Sequence, residues 1–216
     1  MPRVAPFEAH HERYDRWFEK HQAAYISELL ALRPFVPWDG QGIEIGVGSG
    51  RFAAPLGLQT GLDPSPAMLV HAAARGIRVV DGVAENLPFA DGSFDHALVV
   101  TTICFVDSPA TMLAEARRVL KPGGRLVIGF IDRDSALGRD YLRRQTESEF
   151  YREATFYSAD AVEEMLLESG FLVHNWVQTL ARPLSETHEI EPLQPGRGKC
   201  AFVVVAAHTR NDPCEA

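Results

Sequence analysis

The stretch at residues 43–52, IEIGVGSGRF, constrains this chain more than any other. An apolar run reaching Ile45 reads as a short buried strand, and it breaks into glycines at alternate positions, Gly46, Gly48 and Gly50, ahead of a more helical segment. Glycine tolerates φ > 0 and carries no side chain, so the backbone of such a turn can press against a ligand while N–H groups of the turn and helix start face it. The turn suits a nucleotide-like cofactor, although glycine-rich turns also occur as plain strand-to-helix connections. Spacing narrows the choice. Dinucleotide-binding turns run G-x-G-x-x-G, whereas here the pattern is E-x-G-x-G-x-G, with an acid, Glu44, on the strand itself.

At 216 residues the chain is long enough for one α/β domain with a buried core and short for two, so residues 1–216 are read as one domain. No apolar run approaches the length that spans a membrane, and residues 2–20 are polar, aromatic and mixed in charge, unlike a secretory leader. The expectation is a cytoplasmic protein without membrane contact. Cys104, Cys200 and Cys214 are odd in number and far apart, with no C-x-x-C pair, which suggests neither a disulfide framework nor a zinc site. A formal net charge of −8 argues against a broad phosphate-binding surface and so against nucleic acid as a partner.

Along the chain, Tyr14, Trp17, Phe18, Tyr25, Leu29 and Leu32 recur at helical spacings among charges, predicting one or two amphipathic helices over residues 8–33, stopped by Pro34 and Pro37. These helices either pack on the domain or cap a ligand. Residues 60–62 form a second strand that delivers Asp63 at its end, where an acid can accept hydrogen bonds from both hydroxyls of a ribose lying across the first two strand tips. Capping of the next turn is the structural alternative for Asp63. Residues 77–80 and 94–100 read as further strands, the latter nearly continuous in apolar character as a central parallel strand should be. Its tip, with Thr101 and Thr102, falls beside the topological switch point where open α/β sheets bind ligands. Cys104 reads as a small buried hydrophobe and His96 as a structural residue.

A helix over 112–120, a turn at Lys121, Pro122, Gly123 and Gly124, and a strand over 125–131 follow. Residues 132–157 depart from the alternation and are rich in tyrosine and arginine. Either this is a solvated surface helix, or Arg133, Arg139, Tyr141, Arg143, Arg144, Phe150, Tyr151 and Tyr157 line a pocket, in which case the arginines would suit an anionic acceptor. Ser158 should cap a helix over 159–169, with strands over 171–180 and 201–208 beyond it. The connection at 181–199 is long for a hairpin, and loops of that length are often functional. Its end, Pro195-Gly196-Arg197-Gly198-Lys199, lacks a following helix and reads as a plain turn. Residues 211–216 read as a loose tail.

Four segments in order, E-x-G-x-G-x-G, GLDPSPAML, AENLPF followed by DGSFD, and EARRVLKPGGRLVIGF, resemble the motifs of the class I S-adenosylmethionine-dependent methyltransferases. VTTICFVD, DRDSALGRDY and the block ending GKCAFVVV are similar to a subgroup of small prokaryotic methyltransferases of type 11 character. The resemblance implies a Rossmann-like α/β fold, with helices on both faces of a seven-stranded, mostly parallel sheet of order 3-2-1-4-5-7-6. It implies S-adenosylmethionine as cofactor and S-adenosylhomocysteine as product. On that reading Glu44, Gly46 and Gly48 hold the methionine end, Asp63 the ribose with Pro64 and Met68 from the second motif, and Ala84, Glu85, Asn86 and Leu87 the adenine, while Thr101 and Thr102 flank the methyl. One departure stands out: the family often has an acid immediately before the Ala-Glu pair, and this chain has Val83, with Asp81 as the substitute two residues earlier.

The strand-four tip is also not N-P-P-Y or D-P-P-Y, the tetrapeptide by which many methyltransferases of bases and amides hold a planar nitrogen. The expected activity is therefore methyl transfer to O, N or S of a small-molecule acceptor. Alternatives are a non-catalytic cofactor-binding module, or methylation of protein or RNA. No catalytic residue is assigned, because the sulfonium is already activated and in-line placement supplies much of the acceleration.

Overall fold

Short apolar runs that end in glycine or proline, alternating with helical stretches capped by serine, build one sheet covered on both faces. The computed structural model describes residues 4–210; Cys214 and the tail expected at 211–216 lie outside the described residues. Strands β1 (Gly42–Ile45), β2 (Thr60–Asp63), β3 (Arg78–Asp81), β4 (Phe94–Val100) and β5 (Leu120–Ile131) are mutually parallel where they pair. The remaining strands, β6 (Phe171–Thr179), β7 (Gln194–Pro195) and β8 (Phe202–Thr209), join them antiparallel in the order β3-β2-β1-β4-β5-β8-β6-β7. This is the expected α/β order with one addition, the two-residue β7 on the outer edge of β6. Pairing of Ile45 with Leu62 and of Glu44 with Leu98 brings the C-terminal ends of β1, β2 and β4 together, and the site is assembled there.

At the N-terminus three helices stand where one or two were expected: α1 (Ala5–Ala9), α2 (His11–Lys20) and α3 (Gln22–Leu32). The breaks fall at His10 and His21, whose φ values of −126° and −116° leave the helical region. Helix α3 lies on the sheet, burying Ala24, Ser27, Glu28, Ala31 and Leu32. Gly129 on β5 makes that approach possible, since a Cβ there would stand 2.7 Å from Phe202 and 3.0 Å from Leu32.

Beyond the short α4 (Ala53–Leu56), helices α5 (Pro66–Ala74), α6 (Pro109–Val119), α7 (Ala136–Arg143) and α8 (Ala159–Glu168) each begin at a serine whose hydroxyl accepts a backbone N–H of the first turn. That cap, Ser108, starts α6 earlier than the apolar pattern alone indicated. Strand β5 likewise begins at Leu120 rather than at Arg125. Leu120 pairs with Phe94, the register shifts, and the regular ladder resumes at Arg125 opposite His96, with the expected turn at Gly123 (φ +72°) enclosed between. His96 is buried against Gly42, where a Cβ would lie 2.2 Å from its Nε2, so it is a packing residue outside the chamber walls described below.

The connection at 181–199 is organised by an acid. Glu191 is 6% exposed. Its carboxylate accepts the Ala181 N–H (2.7 Å), the Arg182 N–H (3.4 Å) and the Thr187 hydroxyl (3.3 Å), while its own N–H donates to Ser27 Oγ on α3 (2.8 Å). Arg197 lies over the Trp176 ring at 4.8 Å and pairs with Glu163 and Asp160 of α8, so the glycine-rich end of the connection is a tethered turn. Replacing Glu191 with Ala removes the acceptor of two part-buried N–H groups and of the buried Thr187 hydroxyl and should cost about 1–3 kcal/mol. A lowered urea midpoint at unchanged m-value is the expected result.

Candidate active site

The glycine turn has the conformation its composition predicts: Gly46, Gly48 and Gly50 have φ values of +76°, +51° and +80°. Its first N–H groups, from Gly46 and Val47, donate to Leu62 O of β2. Asp63 fixes the next one, accepting the Gly48 N–H on Oδ2 (2.9 Å) and the Ser65 N–H on Oδ1 (2.9 Å). The ligand reading and the capping reading of Asp63 are thus not exclusive, because the same carboxylate that organises both turns also faces the cavity. Burial pushes its pKa up to about 6, against the two N–H bonds and with help from the negative charges of Asp81 and Glu8.

Opposite the turn, Thr102 Oγ1 donates toward Gly46 O (3.2 Å) and Val100 O (3.1 Å). A Cβ on Gly46 would stand 2.3 Å from that side chain, whereas one on Gly48 would point into open space with Tyr14 3.9 Å away. A chamber of about 90 Å³ opens here. Among the residues expected from the sequence its wall contains Gly46, Gly48, Asp63, Pro64, Met68, Ala84, Glu85, Thr101 and Thr102. Val4 and Phe7 from the α1 region, Tyr14 from α2, and Val83 complete much of the rest. Glu8 fastens α1 here by accepting the Ser65 hydroxyl (2.5 Å) and the Ala67 N–H (3.1 Å).

Three expected residues stand outside this wall. Glu44 lies behind the turn, 1% exposed; burial drives its pKa well above the carboxylate range, opposed by a bond from the Ala53 N–H, and its Oε2 has no hydrogen-bond partner among the described residues. Asn86 is exposed, and Leu87 is buried with its N–H given to Glu115 (2.8 Å). Val83, not Asp81, faces the cavity. Glu85 lines the wall but also accepts the Asp107 and Ser108 N–H groups at the start of α6 (2.7 and 3.3 Å).

A second chamber of about 190 Å³ adjoins the first, sharing Tyr14, Thr101 and Tyr151 as a common wall. Residues 132–157 supply Leu137, Tyr141, Phe150 and Tyr151 to it, α2 supplies Arg13, Trp17 and Phe18, and Leu180 and Leu184 come from the far end of the chain. The arginines singled out in 132–157 are not in this wall. Arg133 pairs with Asp134, and Arg143 and Arg144 with Asp140, while Arg139 donates to the Asp134 carbonyl. Arg13, at the rim, is paired with Glu149. The wall holds instead a carboxyl that the sequence did not single out: Glu28 of α3, 5% exposed, with a pKa that burial pushes up to about 8.

Backbone strain converges on the same place. The non-glycine residues with positive φ among those described are Thr101 (+52°) and Leu180 (+65°), and both line the second chamber. A β-branched residue at positive φ is a true outlier, and such strain clusters at functional sites. Cys104 is buried, its thiol donating to the Thr101 carbonyl (3.1 Å), in keeping with a packing role. Helix α2 is fastened over both chambers through Asp15, which accepts from Arg51 and Arg75. Burial would raise the Asp15 pKa, but the bonds from Arg51, Ser49 and Arg75 hold it well below the usual range.

Residues 43–128 match the family described as methyltransferase domain. A crystal structure of an S-adenosylmethionine-dependent methyltransferase from Thermotoga maritima, described as a possible histamine N-methyltransferase, shares 47% identity and superposes with a TM-score of 0.93 over 96% of this chain and 100% of that one. The chain belongs to the S-adenosylmethionine-dependent methyltransferases. An uncharacterized protein of Methanocaldococcus jannaschii is 42% identical to this methyltransferase over 93% of this chain and 97% of that one. An uncharacterized methyltransferase of Mycobacterium bovis is 38% identical over 44% and 42% of the two chains.

The residues present fit the family's cofactor, S-adenosylmethionine. The position of Gly48 opens onto the chamber, the wall combines apolar surface at Met68, Val83 and Ala84 with the carboxylates of Asp63 and Glu85, and Glu44 keeps a buried oxygen unused behind the turn.

Glu28 ties the site to stability. Between its ordinary pKa of 4.5 and its folded value near 8 the folded methyltransferase retains a proton that the unfolded chain has lost, so its contribution falls as pH rises through that interval. Glu28→Gln removes this slope. The melting temperature of the variant should therefore gain on the parent as pH is raised from 5 to 8, which a pH series of thermal melts measures.

Proposed function

We propose that this methyltransferase moves a methyl group from S-adenosylmethionine to O, N or S of a small-molecule acceptor held in the second chamber. The observation that carries this reading is the common wall: Tyr14, Thr101 and Tyr151 border both chambers, so a ligand in one faces a ligand in the other. The cofactor supplies an electrophilic methyl on a sulfonium. The chain's part is to bind, align the two ligands and exclude water.

In this proposal Gly46 and Gly48 hold the methionine end by close backbone approach, with Glu44 behind the turn bonded to the Ala53 N–H. Asp63 accepts from the ribose hydroxyls with the lone pairs not used by Gly48 and Ser65, beside Pro64 and Met68. Ala84 and Glu85 bracket the adenine end, with Val83 adding the apolar contact where the family often has an acid, while Asn86 and Leu87 carry the loop onward outside the wall. Thr101 and Thr102 flank the methyl. Residues 8–33 act as a cap and residues 132–157 as the acceptor wall of one continuous domain. The half-enclosed aromatic chamber favours a small molecule over a protein or RNA, and the Thermotoga maritima relative, a possible histamine N-methyltransferase, is described with a small-molecule acceptor.

Incubation with methyl-labelled S-adenosylmethionine and a cell extract should place label in the small-molecule fraction; label in protein or RNA alone would contradict the acceptor class. Titration with S-adenosylhomocysteine tests the cofactor side. Asp63→Ala should weaken that binding by about 1–3 kcal/mol, as lost hydrogen bonds to a charged group do, and unchanged affinity would remove the ribose assignment.

A further inference from the structure

The second chamber is almost wholly aromatic and aliphatic, and its floor carries one acid. The chamber that Glu28 lines is also lined by the rings of Tyr14, Trp17, Phe18, Tyr141, Phe150 and Tyr151. No hydrogen bond or ion pair joins Glu28 to another described residue, and the cause of its raised pKa is burial alone. An uncompensated buried carboxyl is costly, and acids in such places are paired or hydrogen-bonded as a rule. The cation nearest the chamber, Arg13, is taken up by Glu149 at the rim. The carboxyl is sensed by the surrounding phenols: its charge contributes, after burial, to the raised pKa values of Tyr14, Tyr141 and Tyr151. Glu28 therefore sits within electrostatic reach of residues on α2 and in the 132–157 segment, two of which form the wall shared with the cofactor chamber.

A ring-lined pocket with a single buried acid is the complement of a positively charged nitrogen: Glu28, kept protonated by burial up to about pH 8, ionises when a cation comes to rest beside it. The π faces attract a cation once it is desolvated, and a charge-assisted hydrogen bond to the carboxylate fixes its position. The same pocket penalises an anion, which would meet Glu28 without any free cationic side chain. An alcohol or thioether could fill the space but would leave the acid without a counter-ion.

Resting on the reading of this chamber as the acceptor site, we propose that it selects acceptors bearing a cationic amine, with Glu28 as the counter-ion and the ring faces of Tyr141 and Phe150 as the cage. Thr101 and Tyr14, in the common wall, then set how far the bound amine stands from the cofactor. Glu28 is a binding and specificity residue here, separate from the groups that hold the nucleoside.

The test uses the full chain saturated with S-adenosylhomocysteine and three probes of nearly equal shape, 2-phenylethylamine, 2-phenylethanol and 3-phenylpropanoate, titrated by calorimetry. The amine should bind about tenfold or more tightly than the alcohol, and the carboxylate weakest. Glu28→Gln should erase the preference by weakening the amine about tenfold while leaving the alcohol and S-adenosylhomocysteine unchanged. Phe150→Leu, which keeps bulk and removes a ring face, should weaken the amine alone by a smaller factor, and it provides the comparison should the Gln variant not fold. Equal affinity for amine and alcohol, an unaltered amine affinity in both variants, or no amine binding to the loaded protein would each overturn the proposal and leave the cofactor site standing. Failure of the parent chain to bind S-adenosylhomocysteine would instead overturn the functional reading on which the proposal rests.

Discussion

Everything at the ligand-facing end of this molecule hangs on the Asp63 carboxylate. One oxygen holds the Gly48 N–H of the turn after β1 and the other the Ser65 N–H before α5, so a single planar group sets the spacing of two loops that the sheet alone brings only to the same edge. The cost is visible in its titration: burial outweighs two good hydrogen bonds and leaves the acid poised near 6. A residue held this tightly presents its remaining lone pairs in a fixed direction. Ligand recognition then requires little reorganisation, the condition under which polar contacts contribute most.

The buried and half-buried acids of the fold divide by what surrounds them. Glu191 is surrounded by donors and folds a long connection against α3, whereas Glu85 cements the start of α6 while showing one side to the first chamber. Glu44 and Glu28 are the two whose oxygens the protein leaves without full compensation, and each lies beside a chamber. That contrast, rather than burial as such, separates acids that organise the chain from acids that await something else, and perturbed titration in a cleft is a recognised mark of function.

Much of the architecture was legible because it depends on local chemistry. Glycines forced into positive φ, serines preceding helices and an apolar central strand each announce themselves within a few residues, whereas the order of the sheet was implied by the resemblance of four motifs to the methyltransferases. Other features could not be read locally. Nothing at His10 or His21 marks a helix break, since neither is a proline or glycine, and the breaks let α1 pack on α5 and α2 lie over the chambers while α3 stays on the sheet. Strand β7 is two residues long and is defined by its partner on β6. Within the site, Glu28 occupies an ordinary position in an amphipathic helix and becomes interior only when α3, the 132–157 segment and Leu180 close around it. The arginines of 132–157 were misleading for the same reason. Sequence placed cations and rings together, and only packing turned the rings inward and left the cations with Asp134 and Asp140.

The two sides of the second chamber differ in how they are attached. Glu28 belongs to a helix embedded in the core, pressed onto Gly129 and Phe202 and braced by Glu191, so its position moves only if the sheet moves. Tyr14, Trp17 and Phe150 belong to segments fastened from outside, through Asp15 with its two arginines and through the exposed partnership of Arg13 with Glu149. The chamber is thus half bedrock and half shutter. Substitutions in the shutter can therefore reshape the chamber while the acid at its bottom stays where the core holds it.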